Sequence, residues 1–122
     1  MPKLTGDERQ EFVDVLEEGA TYNGYVIYEG LAQASINEHL GGHSPKSVTK
    51  ELLAYAQTEG KISRNEEERQ EWKDKWKYCY HLWPTIGERE LYVEARFDDR
   101  EPEDPVIRIV NIHPPRSSQW QD

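Results

Sequence analysis

Cysteine is all but missing from this chain: Cys79 stands alone among 122 residues. A lone cysteine closes no intrachain disulfide and leaves a thiolate zinc cage without its partners. Long apolar runs are missing too. No stretch approaches the ~20 apolar residues that span a bilayer. Met1 to Arg9 carries no apolar segment of a secretory leader. These absences point to a cytoplasmic protein with no membrane partner. Basic residues are scarce, 15 against 24 acidic ones, for a formal charge of −9. At long range such a surface repels nucleic-acid phosphate and attracts basic partners, although a local basic cleft stays open to it. Phosphate-loop, dinucleotide and serine-elbow motifs do not occur.

What is present suffices for one core and not for two, so residues 1–122 read as a single domain. Hydrophobic residues make up 35% and charged ones 32%, so apolar side chains must be concentrated in a few segments. Four Trp and seven Tyr argue against disorder. Residues 1–20 read as an N-terminal helix, with Thr5 and Glu8 at capping-box spacing, Phe12, Val13 and Leu16 on one face, and Gly19 as its stop. Thr21 to Tyr28 is a short strand or an aromatic entry into the next helix, which covers Gly30 to Leu40. A third helix starts at Ser44-Pro45, where proline's missing N–H costs nothing. Val48, Leu52, Tyr55 and Ala56 form its apolar stripe.

Lys61 to Arg64 fits a first strand, and Asn65 to Trp76 either a short charged helix or an arm. From Lys77 the period becomes two. Tyr78 to Trp83 is a strand, and Leu91, Val93, Ala95 and Phe97 alternate with polar partners in the next. Asp98 to Pro105 reads as an acidic connection too polar to bury. Val106 to Ile112 is apolar at nearly every position and reads as the central strand, with Arg108 its charged intrusion. Residues 116–122 form a loose tail unless Trp120 docks. The fold class is therefore α+β, with N-terminal helices packed on a C-terminal antiparallel sheet of three to four strands.

His39 and His43 straddle Gly41-Gly42, which breaks the i, i+4 geometry of a chelating pair, so no metal or cofactor is expected. Cys79, between two tyrosines in a strand, reads as a small buried hydrophobe. The residues with chemical potential lie on the sheet: Tyr80, His81, Arg96, Arg108, His113 and Arg116, with Lys61 and Arg64 at its entrance. Metal-free RNA cleavage needs a base for the 2′-hydroxyl, an acid for the leaving oxygen and cations for the phosphate, which these residue types supply. The candidate catalytic set is His81, His113, Arg108 and Arg116. Set against it is a purely structural role: strand-end histidines, and arginines paired with neighbouring carboxylates.

Ser44-Pro45-Lys46-Ser47-Val48 leading into a helix that ends at Gly60-Lys61-Ile62, then Glu90 to Ala95 and Pro105 to Pro114, resembles the compact ribonuclease-toxin fold of RelE-like toxins and the barnase and colicin ribonucleases. The resemblance covers roughly residues 31–115 and implies a toxin-like domain with metal-independent RNA-cleaving activity. The chain departs from those usually basic proteins in its charge, and it lacks an exact catalytic signature. The alternative is a non-enzymatic acidic inhibitor or immunity-type protein that blocks a basic, nucleic-acid-acting partner. In that case Glu66-Glu67-Glu68 and the Asp98 to Asp104 connection would imitate phosphate. The expected partner is thus RNA as substrate or a basic protein, and Trp72 to Trp83 could join two copies in a homodimer.

Overall fold

Ser44 and Pro45 start their helix as the sequence requires. The Ser44 hydroxyl accepts the Ser47 N–H at 3.2 Å and the Ser47 hydroxyl accepts the Ser44 N–H at 2.8 Å, a closed capping box. This structure, a computed structural model, describes residues 3–58, 60–73, 75–99, 101 and 103–115. Its elements run α1 (Gly6–Thr21), β1 (Val26–Tyr28), α2 (Gly30–His39), α3 (Pro45–Gln57), β2 (Ile62–Glu66) and α4 (Gln70–Lys73). They continue with β3 (Tyr78–Leu82), β4 (Thr85–Ile86), β5 (Arg89–Glu90), β6 (Tyr92–Asp98) and β7 (Val106–His113). Among the described residues no helix is long and apolar enough to cross a membrane.

The N-terminal helices and C-terminal strands make an α+β fold. Four strands, β7-β6-β3-β2, are antiparallel neighbours as expected; β1 adds a parallel edge beside β7, and β4-β5 form a separate hairpin. Period-two alternation sends Val93, Ala95 and Phe97 of β6 towards the helices, where Phe12, Leu16, Val48, Leu52, Ile62, Leu82, Ile107 and Ile109 complete the apolar core. β7 owes its near-continuous apolar run to a bulge. Glu94 pairs with Asn111 and Ala95 with Ile109, so Val110 is the extra residue, and the core-facing positions switch from Ile107 and Ile109 to Ile112.

Several local expectations are corrected. α1 runs past Gly19 to Thr21; Gly19 is needed for close packing, since a Cβ there would lie 2.4 Å from Val26 Cγ2. Thr5 is the N-cap but makes no side-chain cap bond, and Glu8 pairs with Arg64 instead. β2 extends through Asn65 to Glu66, and the described part of the charged segment after it contains the four-residue α4. The central strand is β6, with β7 beside it. Asp98 belongs to β6 and is buried. Arg116, Trp120 and the rest of 116–122 lie outside the described residues, as does the Trp72 side chain.

Candidate functional site

The second face of the sheet, away from α1 to α3, carries the polar half of each alternating strand. Tyr92, Glu94, Arg96 and Asp98 come from β6, Cys79 and His81 from β3, and Ser63 and Asn65 from β2. Charged residues here should meet water, yet Arg96 is 0% exposed, Glu94 3% and His81 6%. Burial at this depth requires partners. Arg96 Nη2 lies 3.0 Å from Glu94 Oε2 and 2.6 Å from Glu67 Oε2, and Nη1 donates to Cys79 Sγ and to the Ala95 carbonyl, each at 3.1 Å. Arg69 Nη2 donates to the other Glu94 oxygen at 2.8 Å. Glu67 and Arg69 therefore clamp the segment after β2 onto the central strand.

His81 sits inside this network. Its Nε2 is 2.6 Å from Asn65 Oδ1, an acceptor, so Nε2 carries the hydrogen and Nδ1 accepts from the Tyr92 hydroxyl at 2.5 Å. Burial holds the imidazole well below its ordinary range, at about 4, although nearby Glu94 works the other way. A neutral histidine with both nitrogens occupied offers no base to a substrate. Ser63, His81 and Glu94 stand in one row across β2, β3 and β6. They form no triad, because the hydrogen bonds of His81 run to Tyr92 and Asn65, and Ser63 Oγ has no hydrogen-bond partner among the described residues. Burial also pushes the Cys79 thiol up to about 12, far from thiolate reactivity.

Among the described residues, His81, Arg108 and His113 line no common pocket. Tyr92 separates His81 from His113, its ring centroid 5.6 Å from one and 5.3 Å from the other. Arg108 is a structural cation, donating to Asp98 at 3.2 Å and to Glu29 at 3.3 Å. Tyr80 and Arg64 face the helices: Tyr80 stacks on Phe12 at 5.2 Å and Arg64 pairs with Glu8. Lys61 lies over the Trp83 ring at 5.6 Å.

Unpaired charge gathers elsewhere. α1 exposes Asp7, Glu8, Glu11, Asp14, Glu17 and Glu18, and of these only Glu8 makes an ion pair among the described residues. The β6–β7 connection exposes Asp99, Glu101, Glu103 and Asp104. The two elements meet in a groove of about 360 Å³ lined by Glu11, Asp14, Val15, Glu18, Tyr25, Glu103, Asp104 and Pro105, with no basic residue among the described ones. The carboxylate of Asp104, then burial and Glu18, raise the Tyr25 hydroxyl above its usual range, a mark of the negative field there. Glu18 lies in the last turn of α1, where the negative end of the helix dipole disfavours an anion and where no basic residue compensates.

Of the carboxylates expected to imitate phosphate, Glu67 and Asp98 are buried ion-pair partners, whereas Glu66, Glu68, Asp99, Glu101, Glu103 and Asp104 are exposed. The contribution of α1 was missed, although Glu17-Glu18 with no basic residue in the following turn was a readable signal. No family model matches the chain, and no curated protein or solved structure shows significant similarity to it.

Proposed function

We propose that this protein is a non-enzymatic, acidic binding protein that blocks a basic, nucleic-acid-acting partner. The observation that carries the reading is the acidic face shared by α1 and the β6–β7 connection, where among the described residues only Glu8 makes an ion pair. With Glu8 spent on Arg64, five unpaired carboxylates remain on a 16-residue helix about 24 Å long, one charge per ~5 Å. That is sparser than the ~3.4 Å axial spacing of phosphates along one nucleic-acid strand but of the same order. The placement of Glu18 against the helix dipole costs stability and so calls for a use outside folding. A cytoplasmic location goes with such a target.

The RNA-cleaving reading has less support, because His81 is sequestered and Arg108 is paired. A homodimer through Trp72 to Trp83 likewise has little to build on, since Trp76 and Trp83 are buried in their own chain. The test mixes purified protein with basic nucleases or toxins encoded beside it. We expect a defined complex that suppresses nuclease action, weakens about tenfold or more as salt screens the charges, and is lost in Glu11→Lys with Glu18→Lys. Intrinsic RNA cleavage that disappears in His81→Ala or His113→Ala would reverse the order of the two readings.

A further inference from the structure

A second cavity, of about 280 Å³, opens at the far end of the helix layer, bounded by the first half of α1, the end of β2, the start of β3 and the end of β6. Its character differs from that of the acidic groove. Phe12, Tyr80 and Phe97 form an aromatic cluster with centroids 5.2, 6.1 and 6.2 Å apart, and Phe97 is only half-buried. Charges of both signs line the cavity. Glu8 and Arg64 neutralise each other, and Arg64 also lies 4.1 Å over the Tyr78 ring. The rest are unspent: Glu11 of α1 and Asp99 after β6 have no ion pair, nor have Lys75 and Lys77 before β3, among the described residues. Lys75 and Lys77 instead lie over the Trp76 and Tyr78 rings at 5.5 and 5.3 Å. Opposite charges that border one small cavity without pairing are available to a ligand that carries both.

We infer that this cavity binds a free aromatic α-amino acid as its zwitterion. The ring extends the Phe12–Tyr80–Phe97 cluster at the centroid distances aromatic pairs favour. The carboxylate meets Lys75 and Lys77, and the ammonium meets Glu11 and Asp99. The volume lies just below the ~300–1,000 Å³ range of small-molecule sites, which suits a ligand as small as one amino acid. A ligand with one charge satisfies one wall only. Glu11 and Asp99 belong both to this cavity and to the acidic face, whereas Lys75, Lys77 and the aromatic cluster belong to the cavity alone. A titration of the isolated chain needs no partner, so its failure leaves the blocking function intact.

The experiment titrates the full chain with L-phenylalanine, phenethylamine, 3-phenylpropionate and L-alanine, following side-chain NMR signals. L-Phenylalanine should shift the Phe12, Tyr80 and Phe97 ring resonances saturably and bind tighter than the other three. Lys77→Gln should weaken L-phenylalanine by about two- to fivefold and leave phenethylamine unchanged; Glu11→Gln should do the same relative to 3-phenylpropionate. Both positions are exposed, and unchanged thermal melting confirms that the variants fold. Equal binding of the three aromatic ligands, tightest binding of a singly charged one, shifts mapping elsewhere, or no saturable shift overturns the inference.

Discussion

On one side of β6, Val93, Ala95 and Phe97 pack into a dry core of aliphatic and aromatic side chains. On the other side of the same seven residues, Glu94, Arg96 and Asp98 are buried just as deeply, but among charges. The first face is held by the removal of apolar surface from water, a non-directional force. The second depends on each carboxylate and guanidinium keeping its partner, because an unpaired charge at that depth is far costlier than a missing methyl group. Polar alternation in a strand thus says which residues share a face; whether that face is wet depends on what lies across it, here the segment carrying Glu67 and Arg69.

The sharpest way to break this contrast is Arg96→Ala, which leaves the buried Glu67 and Glu94 with the more exposed Arg69 as their shared cation. The expected loss is about 3–5 kcal/mol, read from urea unfolding; a loss under ~1 kcal/mol would mean that the network is loosely held. Ile109→Ala on the dry face should cost about 2–5 kcal/mol, and this cost should be the same at pH 7 and pH 5, since no charge is involved.

The faces should separate further in acid. The unfolded chain protonates His81 near its ordinary pKa of 6.5, and the folded chain only near 4. Between these values the unfolded state binds more protons, so stability falls as pH drops through that window, by on the order of 3 kcal/mol in all. Glu94 adds a loss at lower pH. Burial pushes its carboxyl up, but the Arg69 hydrogen bond and the nearby Arg96 bring it net below its ordinary value, so its contribution vanishes as it protonates. His81→Gln should flatten the stability profile between pH 6.5 and 4 while leaving the lower-pH loss; an unchanged profile would place the titrating group elsewhere.

The smallest effect concerns charge that neither face contains. Glu18→Gln removes an anion from the negative end of α1 and should stabilise the fold by about 0.3–1 kcal/mol, seen as a small rise in melting temperature. The same change should weaken the complex with a basic partner. A variant that gains stability and keeps full binding would detach Glu18 from the partner surface.

Much of the architecture was legible. Ser44-Pro45, the stripe of Val48, Leu52 and Ala56, and the alternation from Leu91 to Phe97 are local signals, and local backbone chemistry and periodicity account for them. The site was legible in type but not in place. His81 and Arg108 are buried or paired because residues 16 and 79 positions away, Asn65 and Glu29, come to meet them. Val110 bulges, which reverses the facing of β7 and turns an apparently all-buried strand into a two-faced one.

By itself, then, the sequence determined the α+β order, the three long helices, the strand periods and the net charge of −9, all properties of neighbouring residues or of sums over the chain. The tertiary structure alone decided which charges are spent and which are free. Glu67 and Glu68 are adjacent in the chain, yet one is sealed against Arg96 and the other faces water. The physical reason is that desolvation and pairing depend on distances across the fold, which adjacency in sequence does not set.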